Sequence, residues 1–288
     1  MEQFMTITKR NLKIYFRDKG TIFFSLLSML VVICLMMFFL GDMNVESITR
    51  ILSEFPGRDA AADEKNAELL VLSWTFAGIL SINAVTVTLA AYSVMIKDRE
   101  TGKLNSIYTS PISRTIITAG YVAAAWLVSV CVCLLTLTVT EIYGIIKGLE
   151  WFSFATHIKL IGMIMVNSFV YAALMYVLAM LAKTEGAWSG LGTVIGTLVG
   201  FLGGIYIPIG ALSEVIGNMM KCTPIIYGTA MFRRVMTQEI VNTTFQGIPE
   251  EVVSEYCTAM GISLEIFDKK IGVIYENYDR DSKTRRRG

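Results

Sequence analysis

The sequence predicts an all-α, polytopic membrane protein, and three observations lead there. Of its 288 residues 54% are hydrophobic and only 17% charged, with a mean hydropathy of +0.57. Soluble domains run at roughly 45–50% apolar and about 25% charged. The apolar residues collect in runs of about 20 or more, the length that crosses about 30 Å of hydrocarbon. Between the second and third runs lies a charged island, residues 97–114, KDRETGKLNSIYTSPISR. Hydrocarbon cannot satisfy such a segment, so it is an aqueous loop.

The elements follow in chain order. Residues 1–20 pattern as an amphipathic helix, with Met1, Phe4, Met5, Leu12, Tyr15 and Phe16 on one face and Lys9, Arg10, Lys13 and Arg17 beside them. That pattern suits a helix lying in the membrane interface. Residues 21–41 form the first span, and the basic flank before it places the N-terminus in the cytoplasm. Residues 42–68 are acid-rich (Asp42, Glu46, Glu54, Asp59, Asp63, Glu64, Glu68) and are expected as an external loop. Residues 69–96 are the second span, long enough to tilt. The island is then internal.

Residues 116–140 are the third span. Residues 141–156 connect it externally to the fourth, 157–182, with Trp151 suited to the interfacial belt. After a tight turn at 183–186 comes a fifth span, 187–207. There Gly192, Gly196 and Gly200 recur every four residues, a small-residue ridge that allows another helix to approach, within one subunit or between two. Residues 208–232 are apolar bursts broken by Glu214, Gly217, Asn218, Lys221 and Pro224. They are expected as a pair of short re-entrant or interfacial helices, tolerated because they pack on protein. The remainder is polar. The expected division is a transmembrane domain over 1–235 and a polar extracellular segment over 236–288. Arg285, Arg286 and Arg287 conflict with that side assignment, because basic clusters favour the cytoplasm.

Composition also excludes chemistry. The single histidine, His157, cannot build a multi-histidine metal site, and there is no Cys-x-x-Cys. Of the five cysteines, Cys34, Cys131 and Cys133 fall in apolar runs; Cys222 and Cys257 lie later and would pair only in an oxidising space. No phosphate-cradling glycine loop is present. No span carries an Asp, Glu, Lys or Arg away from its ends, where ion-coupled carriers need such groups. The net charge of +1 does not point to nucleic acid, and none is expected as a partner. The chain is therefore not expected to be an enzyme, and any transport must draw energy from a partner.

Within the island, Leu104, Ile107 and Tyr108 share one helical face and Ser110-Pro111 ends the helix, giving a short helix over about 101–109. An apolar face flanked by charges suits a groove on a soluble partner, and suits a lipid surface equally.

In order, the residues Arg10-Asn11-Leu12 with Arg17-Asp18, Arg99-Glu100-x-Gly102 with Leu104 and Ser110-Pro111-Ile112-Ser113-Arg114, Ala182-Lys183-Thr184-Glu185, and Gly204-Ile205-Tyr206-Ile207-Pro208 with Ala211-Leu212 and Pro224-x-x-Tyr227 resemble the membrane (permease) subunit of a type-2 ABC exporter of the multidrug or antibiotic kind. The resemblance implies a separate ABC-type ATPase subunit that holds ATP and Mg, with no cofactor on this chain. It also implies a second permease subunit, in a homo- or heterodimer, and a multi-pass location in the plasma (bacterial inner) membrane. The activity implied is export of an amphiphilic or hydrophobic substrate.

The coupling helix, 97–115, would dock the ATPase through Arg99, Glu100, Gly102, Leu104, Ile107, Tyr108 and Pro111. Pro208, Leu212, Pro224 and Tyr227 would form a re-entrant external gate. The sequence departs from the family at Lys103 and Asn105, where Thr and Glu are usual, and in lacking a sixth span. A reading from another class is a non-transporting membrane scaffold or sensor with an extracellular ligand-binding segment.

Overall fold

The computed structural model describes residues 1–35, 41–266 and 269–271. Helix α1, Glu2–Arg17, lies against the start of α7, Arg114–Lys147. It buries Ile7, Thr8, Asn11 and Tyr15. The close approach needs Gly120, since a Cβ there would sit 2.6 Å from the Ile7 Cγ2. Met1, Met5, Ile14 and Phe16 stay exposed. The apolar face expected from the wheel is therefore split: Tyr15 turns onto protein, while Met1, Met5 and Phe16 remain free for lipid.

Asp18 turns the chain into α2, Lys19–Leu35, accepting from the Thr21 backbone N–H at 3.1 Å and the Thr21 hydroxyl at 2.9 Å. These two hydrogen bonds, the backbone one first, hold the Asp18 carboxyl below its usual range. The last part of the expected first span lies outside the described residues.

The expected external loop at 42–68 is largely helical. Helix α3, Gly41–Ser53, buries Ile48 and Leu52, an i,i+4 pair, against α4, Ala60–Ala91. Acidic residues on its other face hid this pattern. Asp59 caps α4 by accepting from the Ala61 N–H. After Tyr92 the helix resumes as α5, Ser93–Glu100. The second span thus belongs to a 41-residue rod, Ala60–Glu100, around which the other helices pack.

Helix α6, Lys103–Tyr108, follows, then α7 from its Ser113 cap. Helix α8 is Phe154–Leu181 and α9 is Glu185–Leu202. The last ends five residues before the expected 207, because Gly203 and Gly204 turn the chain and Gly204 adopts φ +61°. Polar groups inside the bundle bond across helices. Asn83 donates to the Thr136 hydroxyl at 2.9 Å, and Ser129 to that of Ser168 at 2.9 Å.

Three helices among the described residues are long and apolar enough to cross a membrane: Ala60–Glu100, Arg114–Lys147 and Phe154–Leu181. Helices α2 and α9 are shorter, at 17 and 18 residues. After a 3-10 turn, Ile209–Ala211, come α10, Glu214–Lys221, and α11, Pro224–Thr244. Helix α11 runs unbroken past residue 235. It lies along α4, burying Ile226, Thr229, Ala230, Phe232, Arg233, Met236, Thr237 and Val241. Polar Thr229, Arg233 and Thr237 interrupt that stripe, so hydropathy alone could not register it. Helix α12, Glu250–Ala259, is followed by an antiparallel pair, Leu264–Ile266 with Lys269–Ile271, the exception to the all-α class among the described residues.

Candidate functional site

The charged island is bonded into four helices. Asp98, Arg99 and Glu100 are consecutive on the last turn of α5, so their side chains radiate in three directions. Asp98 is 4% exposed and takes two hydrogen bonds from Arg10 of α1, Nη1 to Oδ2 at 2.5 Å and Nη2 to Oδ1 at 2.7 Å. The Tyr121 hydroxyl of α7 donates to the same carboxylate at 2.7 Å.

Arg99 reaches the other way. Its Nη1 donates to the carbonyls of Ala179 at 2.9 Å and Met180 at 3.3 Å, and to that of Ala182. These are orphan acceptors at the C-terminus of α8, where a cation is also favoured by the helix dipole. Glu100 accepts from the backbone N–H of Glu185 at 2.8 Å, at the N-terminus of α9. The hydroxyl of Thr184 caps the same end by accepting from the Ala187 N–H. Lys97 stands 4.0 Å from Glu185, both solvent-exposed, a contact worth little.

Gly102 hinges α5 to α6 at φ +74°. A Cβ there would meet nothing within 4 Å, so glycine is needed for the left-handed backbone and not for space. On α6 the expected apolar face divides. Leu104 is buried against the subunit's own core, and Ile107 packs partly on that core. Tyr108 is 40% exposed, with the Arg114 guanidinium 5.6 Å from its ring centre. The open surface of α6 thus carries Lys103, Asn105, Ser106 and Tyr108. The Ser110 hydroxyl donates to the Ile107 carbonyl at 2.5 Å, closing the helix before the exposed Pro111.

At the other end, Pro208 precedes the 3-10 turn and Pro224 begins α11. Leu212 and Tyr227 pack on one small apolar cluster with Met220, Ile226, Ala230 and Leu264, and Tyr227 donates its hydroxyl to the Lys221 carbonyl at 2.7 Å. The structure brings these two together and leaves the two prolines as chain-turning positions.

Sequence reasoning missed the residue that ties this region down. Arg233 is 0% exposed. It donates to the carbonyls of Gly204 at 2.8 Å and Met260 at 3.2 Å and lies 3.9 Å over the Trp74 ring of α4. The Trp74 indole N–H also donates to the Met260 carbonyl, at 2.8 Å. Among the described residues no carboxylate pairs with Arg233. Nearby, Arg58 holds Asp63 through two hydrogen bonds and also donates to the carbonyls of Thr244 and Gln246, joining the base of α4 to the end of α11.

Of the glycine ridge, Gly192 faces Leu89 and Gly200 faces Tyr206 within this subunit, while Gly196 opens on empty space. His157 meets Glu141 at 3.0 Å and stacks on Trp151. Cys222 and Cys257 are free thiols, the first exposed and the second buried.

The arrangement offers a mechanical connection. The end of α5, next to α6, is thus tied to α1 and α7 through Asp98, to α8 through Arg99 and to α9 through Glu100. Comparison with known proteins shows that the family model for the ABC-2 type transporter fits residues 2–237, from α1 into α11. No curated protein and no solved structure matches the chain.

Proposed function

Because the chain belongs to the ABC-2 type transporter family, as the match over residues 2–237 shows, it is the permease component of an ABC transporter, and we propose that a separate ATPase drives it through α6. The observation that carries this reading is the triple clamp at Asp98, Arg99 and Glu100. It supports α6 as a handle whose motion reaches four helices at once.

In this reading α2 and α9 join the three longer helices as spans, and α1 lies in the cytoplasmic interface of the plasma membrane. The exposed Lys9, Lys13, Arg17 and Lys19 would face the negative inner leaflet. Two ATPase subunits, holding ATP and Mg, grip α6 of each of two permease subunits. Tyr108 and the exposed α6 residues make the contact, while Leu104 anchors the helix from below and Gly102 sets its angle. ATP binding favours one arrangement of the helices, and hydrolysis with product release resets it. The region of Pro208, Leu212, Pro224 and Tyr227 acts as the external gate, and the substrate is an amphiphile moved outward.

Reconstitution with a candidate ABC-type ATPase tests the function. ATP-dependent efflux of an amphiphile from proteoliposomes is the expected result. Efflux that persists without ATP and collapses with an ion gradient would favour an ion-coupled carrier instead.

A further inference from the structure

A cavity of about 210 Å³ opens between α3, α4 and α7, at the end of the bundle remote from α6. Its floor is apolar, formed by Val71 and Phe76, both buried, with Leu72 beside them. Its rim carries two carboxylates, Asp42 and Glu68, against one ammonium, Lys147. No ion pair among the described residues uses either acid. Tyr143 forms part of the wall, and the Lys147 Nζ stands 6.0 Å over its ring.

The site already holds a cation on an aromatic face, supplied by the protein itself. A quaternary or tertiary ammonium is the ligand chemistry that aromatic faces and carboxylates recognise together. The cavity is smaller than the roughly 300–1,000 Å³ of a whole drug-sized site, so it admits a head group and its first carbons. The rest of such a ligand has a place to lie. Leu135, Val139, Ile142 and Ile146 form an exposed apolar stripe along α7, one helical face beside Tyr143 and Lys147.

We propose that this cavity binds the ammonium head of a cationic amphiphile whose tail lies in the membrane along α7. The ligand's head takes the place of Lys147 over Tyr143 and faces Asp42 and Glu68. As an export substrate such a ligand would fit the permease reading above, on which that role rests; binding itself does not depend on it.

The test is equilibrium dialysis of radiolabelled dodecyltrimethylammonium, below its micelle concentration, against the purified chain in a neutral maltoside detergent. Saturable binding of one molecule per chain is expected. The Asp42→Asn/Glu68→Gln double variant weakens it about tenfold, and both positions are exposed, so folding is spared. Lys147→Gln removes the competing cation and tightens binding about threefold, which a merely structural lysine would not do.

Dodecylphosphocholine, which adds a phosphate, separates a lipid head group from a bare cation and binds more weakly. Unchanged binding in the double variant, weaker binding in Lys147→Gln, equal displacement by neutral dodecyl glucoside, or equal or tighter dodecylphosphocholine binding each overturns the proposal. Since no ATPase is present in the assay, loss of the docking reading would leave the site standing, and the reverse.

Discussion

Arg10 and Asp98 meet through two parallel hydrogen bonds of 2.5 and 2.7 Å across 88 residues of chain. The carboxylate is almost fully buried, while the guanidinium side chain keeps 33% exposure. Two-point geometry of this kind fixes direction as well as distance. It sets α1 against the foot of the central rod.

Loss of either partner therefore costs more than a surface ion pair. Arg10→Leu leaves Asp98 buried with only Tyr121 as donor, and should destabilise by about 2–3 kcal/mol, discounted for the exposure of the arginine. The double variant Arg10→Leu/Asp98→Leu should regain part of that loss, because no buried charge is stranded. Thermal unfolding of the single and double variants in detergent gives the coupling. Additive losses would mean the two residues do not act as a pair.

Arg99 should be intolerant of lysine. Its Nη1 reaches three carbonyls at the end of α8, one bond farther from the backbone than a lysine Nζ extends, so the ammonium falls short of them. Arg99→Ala and Arg99→Lys are both expected to insert and to keep the ATPase, yet to lose most ATP-coupled efflux. Normal coupling in Arg99→Lys would show that the clamp needs only charge.

Arg233 gives an ordering that runs against chemical similarity. Its two terminal nitrogens donate to two carbonyls and its plane lies over the Trp74 ring, while the buried Nε has no hydrogen-bond partner among the described residues. Arg233→Lys buries a strongly hydrated ammonium without a carboxylate among the described residues, whereas Arg233→Met fills the space with an apolar chain. Melting temperatures should fall further for lysine than for methionine. The reverse order would contradict the account of this buried cation.

Much of this was legible in the chain. Runs of apolar residues marked the long helices because membrane-crossing length is a one-dimensional property, and Ser110-Pro111 marked the end of α6 locally. The clamp was not legible. Arg10, Asp98 and the Ala179–Ala182 carbonyls lie far apart in sequence, and nothing local distinguishes Asp98 from its charged neighbours. The inward turn of Leu104 was hidden for the same reason: an apolar face does not say which surface it meets. Arg233-Arg234 looked like the start of a polar segment, yet the i,i+3/i+4 stripe of α11 continues through Arg233 because backbone carbonyls and an indole ring take the place of a counter-ion.

The two late cysteines should differ sharply in reactivity. Burial pushes the Cys257 thiol up to about 12, so at pH 8 almost no thiolate is present, while Cys222 is exposed. A membrane-impermeant maleimide applied outside intact cells should label Cys222 quickly and Cys257 only after denaturation. Labelling of Cys222 solely from the cytoplasmic side would reverse the proposed orientation.

The most direct test concerns the handle itself. Tyr108 is the exposed aromatic of α6, and its replacement should disturb neither the core nor the clamp. Tyr108→Asp is predicted to insert and fold with an unchanged melting temperature while losing co-purification of its ABC-type ATPase. Undiminished recovery of the ATPase with the Tyr108→Asp chain would contradict docking at α6.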